Sequence, residues 1–206
     1  MKERLCKKPM KTVCTSLLLY LFFTPMSHAQ VPVAAGYAPS FKASAGYSYV
    51  NLGVPGRPRL NLQGGEGGLT VDFNSRFGIE LDGSYTRASN VYSSRHVVDL
   101  LTYMGGPVFY LRRGKRLDFY VHGLLGAARE TGVNYDSSGR LLLGFVTQFA
   151  WAAGGGAEYQ LDRHLSLRFG GDYLNTKTFT PQLTLKRESN LRAFAGFTYR
   201  FGGRQP

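Results

Sequence analysis

Apolar and polar residues alternate with a period of two in segment after segment of this chain, and sustained alternation marks strands with one apolar and one polar face. Phe41, Ala43, Ala45, Tyr47 and Tyr49 share one parity, and Lys42, Ser44, Gly46 and Ser48 share the other. Over residues 64–73, Leu69, Val71 and Phe73 oppose Glu66, Gly68, Thr70 and Asp72. In the third segment, Phe77, Ile79, Leu81 and Tyr85 oppose Glu80, Asp82, Ser84 and Thr86. The fifth sets Leu117, Phe119, Val121 and Leu125 against Asp118, Tyr120, His122 and Gly126. The sixth sets Phe149, Trp151, Ala153, Ala157 and Tyr159 against Gln148, Gly154, Gly156 and Glu158. In the seventh, Leu165, Leu167, Phe169 and Tyr173 oppose Ser166, Arg168, Gly170 and Asp172. In the eighth, Leu191, Ala193, Ala195, Phe197, Tyr199 and Phe201 oppose Arg192, Gly196, Thr198 and Arg200, with Phe194 the exception. The fourth segment, 96–111, is apolar on both parities, with Asp99 and Thr102 on opposite faces and Pro107 near one end, so alternation assigns it no face.

The connections alternate in length. Those at 74–76, 112–116 and 162–164 are short, and those near 51–63, 89–95, 131–144 and 175–188 are longer. An even number of strands with this asymmetry predicts an eight-stranded antiparallel up-and-down transmembrane β-barrel, with short turns and both chain ends on one side. Its first and last strands then pair, which removes the sheet edges that lipid does not tolerate. Glycines inside strands, such as Gly64-Gly65, Gly67-Gly68, Gly105-Gly106, Gly154 to Gly156 and Gly170-Gly171, are read as the means of bending a narrow barrel. No helix is expected after any of them, so a phosphate-binding loop is not expected.

Residues 1–29 differ from the rest. Lys2, Arg4, Lys7, Lys8 and Lys11 precede an apolar run from Leu17 to Phe23. That run is far shorter than the roughly 20 residues a membrane helix needs, so it reads as the core of a secretion signal. Ser27-His28-Ala29 places cleavage before Gln30, and a start at Met10 would leave the same mature product. Cys6 and Cys14 both fall in the removed part, so no disulfide is available to the mature chain. Cys14 does not fit a lipid attachment site, because the apolar run follows it rather than precedes it. Processing removes five basic residues and one acidic one and lowers the formal charge from +12 to about +8. For an exported protein, lipid phosphates are nearer partners for that charge than nucleic acid.

Three features set the apolar face outward, toward lipid. The polar face is made of small residues and charges of both signs, as a crowded interior requires. Tyr47, Tyr49, Phe73, Phe77, Tyr85, Tyr159, Tyr173, Tyr199 and Phe201 gather near strand ends, where interfacial girdles are expected. The last strand also ends on an aromatic residue.

The closing run Leu191-Arg192-Ala193-Phe194-Ala195-Gly196-Phe197-Thr198-Tyr199-Arg200-Phe201-Gly202 resembles that of the OmpA-like eight-stranded outer-membrane β-barrel proteins. Leu165 to Phe169 with Asp172-Tyr173-Leu174 resembles the family's seventh strand, and Gly154-Gly155-Gly156 its sixth. The resemblance covers the mature chain. It implies a signal peptide over 1–29, a periplasmic segment over 30–40, a barrel over 41–202 and a short tail over 203–206, located in the cell outer membrane. It further implies that Tyr199 and Phe201 serve as the signal to the barrel assembly machinery. With the chain stopping at Pro206, the peptidoglycan-binding domain of many relatives is not expected.

Eight strands enclose only enough space for side chains, so a filled lumen is expected rather than a diffusion pore. Its candidate ion-pair network is Glu66, Glu80, Asp82, Glu158, Arg168, Asp172, Arg192 and Arg200. Glu158 with Arg168 is its expected central pair, and Glu80 lies level with them across the barrel. His122 would meet Asp82 or Asp172, and His96 opens the fourth strand without evident partners. His164-Leu165-Ser166 superficially resembles the catalytic spacing of outer-membrane lipid A deacylases, but it sits on the periplasmic side, away from lipid A. Scattered histidines and no mature cysteine predict no metal and no cofactor. Arg57, Arg59, Arg87, Arg95, Arg140, Lys177, Lys186 and Arg187 near the long connections are candidates for contact with lipopolysaccharide phosphates. The function expected is that of a monomeric, non-catalytic structural or interaction protein in contact with outer-membrane lipid. Two alternatives remain, a lipid-modifying barrel enzyme and a soluble periplasmic ligand-binding barrel with an apolar cavity.

Overall fold

Alternating segments become strands when each can hydrogen-bond to a neighbour on both sides, and here every strand does. The computed structural model describes residues 39–54, 58–91, 96–135, 141–179 and 185–201, and for 133–135, 141–143, 177–179 and 185–188 the backbone only. The readings of the signal segment, residues 30–38 and the tail 202–206 lie outside the described residues. The strands are β1 (Ser40–Leu52), β2 (Leu60–Asp72), β3 (Phe77–Ser89), β4 (Val97–Arg113), β5 (Leu117–Tyr135), β6 (Leu141–Gln160), β7 (Leu165–Phe179) and β8 (Leu185–Phe201). Each pairs antiparallel with the next, and β8 returns to β1 from Phe41↔Phe201 to Asn51↔Leu191, closing the barrel.

Even-numbered side chains point into the lumen on every strand except at the end of β4, where a bulge turns Arg113 inward. The outward face is apolar: Leu69 is 57% exposed, Leu125 61% and Phe197 54%, whereas Glu80 and Arg192 are buried. An exposed apolar band wrapped around buried charges is the inverse of a water-soluble barrel, because only lipid makes that outer face favourable. The soluble ligand-binding alternative is thereby overturned.

The long connections are shorter than the sequence reading has them. β5 and β6 stay paired out to Tyr135↔Leu141, and β7 and β8 out to Phe179↔Leu185. The connections left between them are 136–140 and 180–184. Once a hairpin is in register, each further pair satisfies backbone groups that a loop would have to solvate, so the ladder extends toward the tip.

β4 is apolar on both faces because both faces are used. Val98, Leu100, Met104 and Val108 are buried inside, while Leu101, Tyr103, Phe109 and Leu111 face outward. Val98, Leu100 and Met104 join Val50, Leu52, Leu62, Ala88, Leu124, Ala128, Ala150, Ala152 and Leu174 in an apolar cluster in the half of the lumen farther from the short turns, whereas Val108 packs with Tyr110, Tyr120 and Phe194. The glycines allow the wall to bend sharply around this content. A Cβ added at Gly64 would stand 1.9 Å from the Tyr85 carbonyl oxygen, and one at Gly106 would stand 2.0 Å from that of Gly123.

Candidate functional site

The half of the lumen nearer the short turns, where β1 begins and β8 ends, is charged. Arg192, on β8, donates from Nε and Nη2 to Asp172 Oδ2 and from Nη1 to Asp82 Oδ1 at 2.6 Å. His122, on β5, lies between two carboxylates, with Nε2 2.8 Å from Asp172 Oδ1 and Nδ1 3.0 Å from Glu80 Oε2. Both contacts are hydrogen bonds only when both ring nitrogens carry protons. Glu80 Oε1 also accepts from Arg168 Nη2. A continuous chain results: Arg168, Glu80, His122, Asp172, Arg192, Asp82. A second group lies closer to the mouth, where Lys42 Nζ meets the Tyr110 hydroxyl and is 3.2 Å from both Glu158 and Asp72. Arg113 Nη2 reaches Asp72 at 2.9 Å. Counting His122 as charged, five cations meet five carboxylates.

Aromatic rings separate the charges. Phe194, the one break in the alternation of β8, points inward with its ring 5.3 Å from the Arg168 guanidinium and 5.7 Å from that of Arg192. Tyr110 lies between Lys42 at 4.4 Å and Arg113 at 3.7 Å. A ring face attracts a cation, so these aromatics add to the pairing rather than interrupt it.

Of the eight residues read as a network, Glu80, Asp82, Arg168, Asp172 and Arg192 form the first chain and Glu158 joins the second. The expected Glu158–Arg168 pair needs correction. The two are cross-strand neighbours in register, yet Arg168 turns to Glu80 and Glu158 takes Lys42. Strand tilt is the reason: it brings Glu80 of β3 level with Arg168 of β7, so ladder register alone does not choose the partner, although it does for Asp172 and Arg192, which face each other on β7 and β8. Glu66 and Arg200 also fall outside both groups. Among the described residues, Glu66 Oε2 and the Nε and Nη2 atoms of Arg200 have no hydrogen-bond partner. Lys42, Asp72 and His122 lay on the inward parity and were detectable there. Arg113 was not, because a bulge between Tyr110 and Arg112 shifts it inward.

A double-mutant cycle between Arg168→Met and Glu80→Gln is expected to give a coupling of about 0.5–3 kcal/mol. The same cycle with Glu158→Gln should give less. Equal couplings would return Arg168 to Glu158.

The chemistry of this arrangement is that of a plug. Both ring nitrogens of His122 are occupied by carboxylates, leaving none to activate a hydroxyl. The His164–Ser166 spacing brings nothing together: the His164 ring stacks on Tyr199 and its Nδ1 lies 3.1 Å from the Arg200 carbonyl oxygen, while Ser166 is buried. Among the described residues no group of three or more His, Cys, Asp or Glu is arranged to hold a metal ion. At the opposite rim, Arg87 pairs with Asp99 at 2.7 Å, and Arg59 bonds to Asn51 and to the Ser189 carbonyl. Arg57, Arg95 and Arg140, and the side chains of Lys177, Lys186 and Arg187, lie outside the described residues.

A closed eight-stranded wall, apolar outside and charged within, matches one family profile, that of the outer membrane protein beta-barrel domain, over residues 16–201. The chain belongs to this family. An outer-membrane location follows for this barrel. NspA, a neisserial surface protein, has a similar structure, with a TM-score of 0.62 at 16% identity over 80% of this chain and 100% of that one. Ail of Yersinia pestis, in complex with the heparin analogue sucrose octasulfate, gives 0.56 at 20% identity over 80% of this chain and 100% of that one. OprG of Pseudomonas aeruginosa gives 0.54 at 15% identity over 81% and 97%. At these identities the likeness is one of fold alone. A search of curated protein sequences finds no match.

Proposed function

We propose that this outer-membrane barrel is a non-catalytic structural and interaction protein that neither conducts solutes nor modifies lipid. The observation that carries the reading is the filled lumen. Leu52, Leu62, Leu100, Leu124 and Leu174 are buried in one half, and Lys42, Glu80, Glu158, Arg168 and Arg192 in the other. Transport would require both layers to move apart, which would strand several charges. On this reading the chain is exported with cleavage before Gln30, Tyr199 and Phe201 present the terminal aromatic signal to the assembly machinery, and the barrel works as a monomer in contact with outer-membrane lipid. Its outer rim then meets lipopolysaccharide phosphates through basic groups such as Arg87, whose side chain is half exposed.

The test is a planar-bilayer recording paired with an acyl-release assay on phospholipid and lipid A. The expected result is no discrete conductance steps and no fatty acid above the empty-membrane background. Stepwise conductance would overturn the plug. Acyl release lost in His122→Gln or Ser166→Ala would overturn the non-catalytic reading.

A further inference from the structure

The turn between β4 and β5 reads Arg112-Arg113-Gly114-Lys115-Arg116, the densest basic run in the described barrel. The bulge after Tyr110 sorts these cations. Before it, even residues face the lumen; after it, Arg113 does, opposite Asp118, while Arg112 stands opposite Phe119 on the outer wall. Arg113 is taken up inside by Asp72 and Tyr110. Arg112, Lys115 and Arg116 remain exposed. Together with Gly114, Leu117 and Phe119 they line a pocket of about 290 Å³ at the level where the apolar band ends. No carboxylate lines it, since Asp118 is buried in the lumen. Among the described residues none of the three cations has an ion-pair partner.

The turn is held in shape independently of these side chains. Gly114 N donates to the Leu117 carbonyl at 3.0 Å, and Gln160 N donates to that of Arg116 at 2.7 Å, tying the turn to the end of β6. The pocket is therefore a built concavity whose cationic rim passes directly into the lipid-facing Leu117, Phe119 and Val121 wall. We infer that it binds the headgroup of an anionic glycerophospholipid of the periplasmic leaflet. Arg112, Lys115 and Arg116 hold the phosphodiester, and an acyl chain lies along Phe119 and Val121. Three uncompensated cations at an interface select negative charge. The apolar floor selects a lipid over a free phosphate. Position excludes lipopolysaccharide, because the short turns lie at the opposite end from the long hairpins. The inference goes beyond the non-catalytic reading and depends only on the barrel's place in the membrane.

The experiment is native mass spectrometry of the folded barrel released from zwitterionic micelles containing phosphatidylglycerol or phosphatidylcholine with identical chains, with glycerol phosphate as competitor. Phosphatidylglycerol should be retained, and the triple variant Arg112→Gln, Lys115→Gln, Arg116→Gln should weaken its retention by roughly tenfold or more. Arg163→Gln, which removes an exposed cation on the neighbouring β6–β7 turn, should leave retention unchanged. If the triple variant fails to show the folded gel mobility, Arg116→Gln alone serves, with Arg116→Lys as the expected rescue. Equal retention by folded wild type and variant overturns the site. Equal retention of the two lipids overturns the anionic selectivity, and displacement by glycerol phosphate at lipid-like concentrations overturns the lipid as occupant.

Discussion

Arg192→Ala is expected to destabilise the barrel by about 3–5 kcal/mol, the loss typical of removing one partner from a buried ion pair. Arg192 is buried and donates to Asp172 and Asp82 together. Its removal leaves the Asp82 carboxylate without that donor in a lumen that water does not readily reach, and leaves Asp172 to His122 among the described residues. Urea unfolding of the vesicle-embedded barrel measures the loss, and the folded gel mobility should disappear at a lower temperature. Arg192→Lys should recover only part of it, because an ammonium cannot span two carboxylates as a planar fork does. Arg87→Ala is the matched control. It breaks an ion pair whose arginine side chain is half exposed, and should cost less than about 1 kcal/mol. A loss for Arg192→Ala no larger than that control would mean that water reaches the network.

Gly64→Leu should abolish the folded state. At this position a Cβ would meet the Tyr85 carbonyl oxygen at 1.9 Å and the Thr86 Cα at 2.8 Å. Overpacking a core usually costs about 1–3 kcal/mol because side chains move aside. Here the obstacle is the backbone of the next strand, held by the ladder Gly64↔Thr86 and Gly65↔Tyr85, so the strands must separate. The boiled and unboiled samples should then run at the same position. Gly123→Leu is the contrasting substitution. It lies on the outer wall, and no atom stands within 4 Å of its added Cβ, so the mobility shift should persist. Folding of both variants, or failure of both, would detach the close approach from the role of the glycine.

These two sites differ in how readily the sequence reveals them. Arg192, Asp172 and Asp82 share an inward parity with strong alternation around them, so their burial could be read from period two alone. Hairpin register sets Arg192 opposite Asp172, but which further acid each cation meets could not be read in this way. Arg168 stands beside Glu158 in the ladder and pairs with Glu80 instead. Gly64 shows only that bending is permitted there, not that the next strand comes within 2 Å of where a Cβ would be.

The sequence by itself determined the number of strands, the face each turns to lipid on seven of the eight, and the pairing of the first strand with the last. Alternation and turn composition are local properties, readable from neighbours one and two residues apart. Only the tertiary structure decided the rest. It placed the two apolar faces of β4, extended the hairpins beyond their expected ends, moved Arg113 into the lumen and Arg112 out of it at one bulge, and matched the buried charges across the barrel. All four depend on contacts between strands. A tilted, closed wall sets lumen partners by its curvature and stagger, and a single inserted residue reverses the parity of the rest of its strand, so no local pattern carries that information.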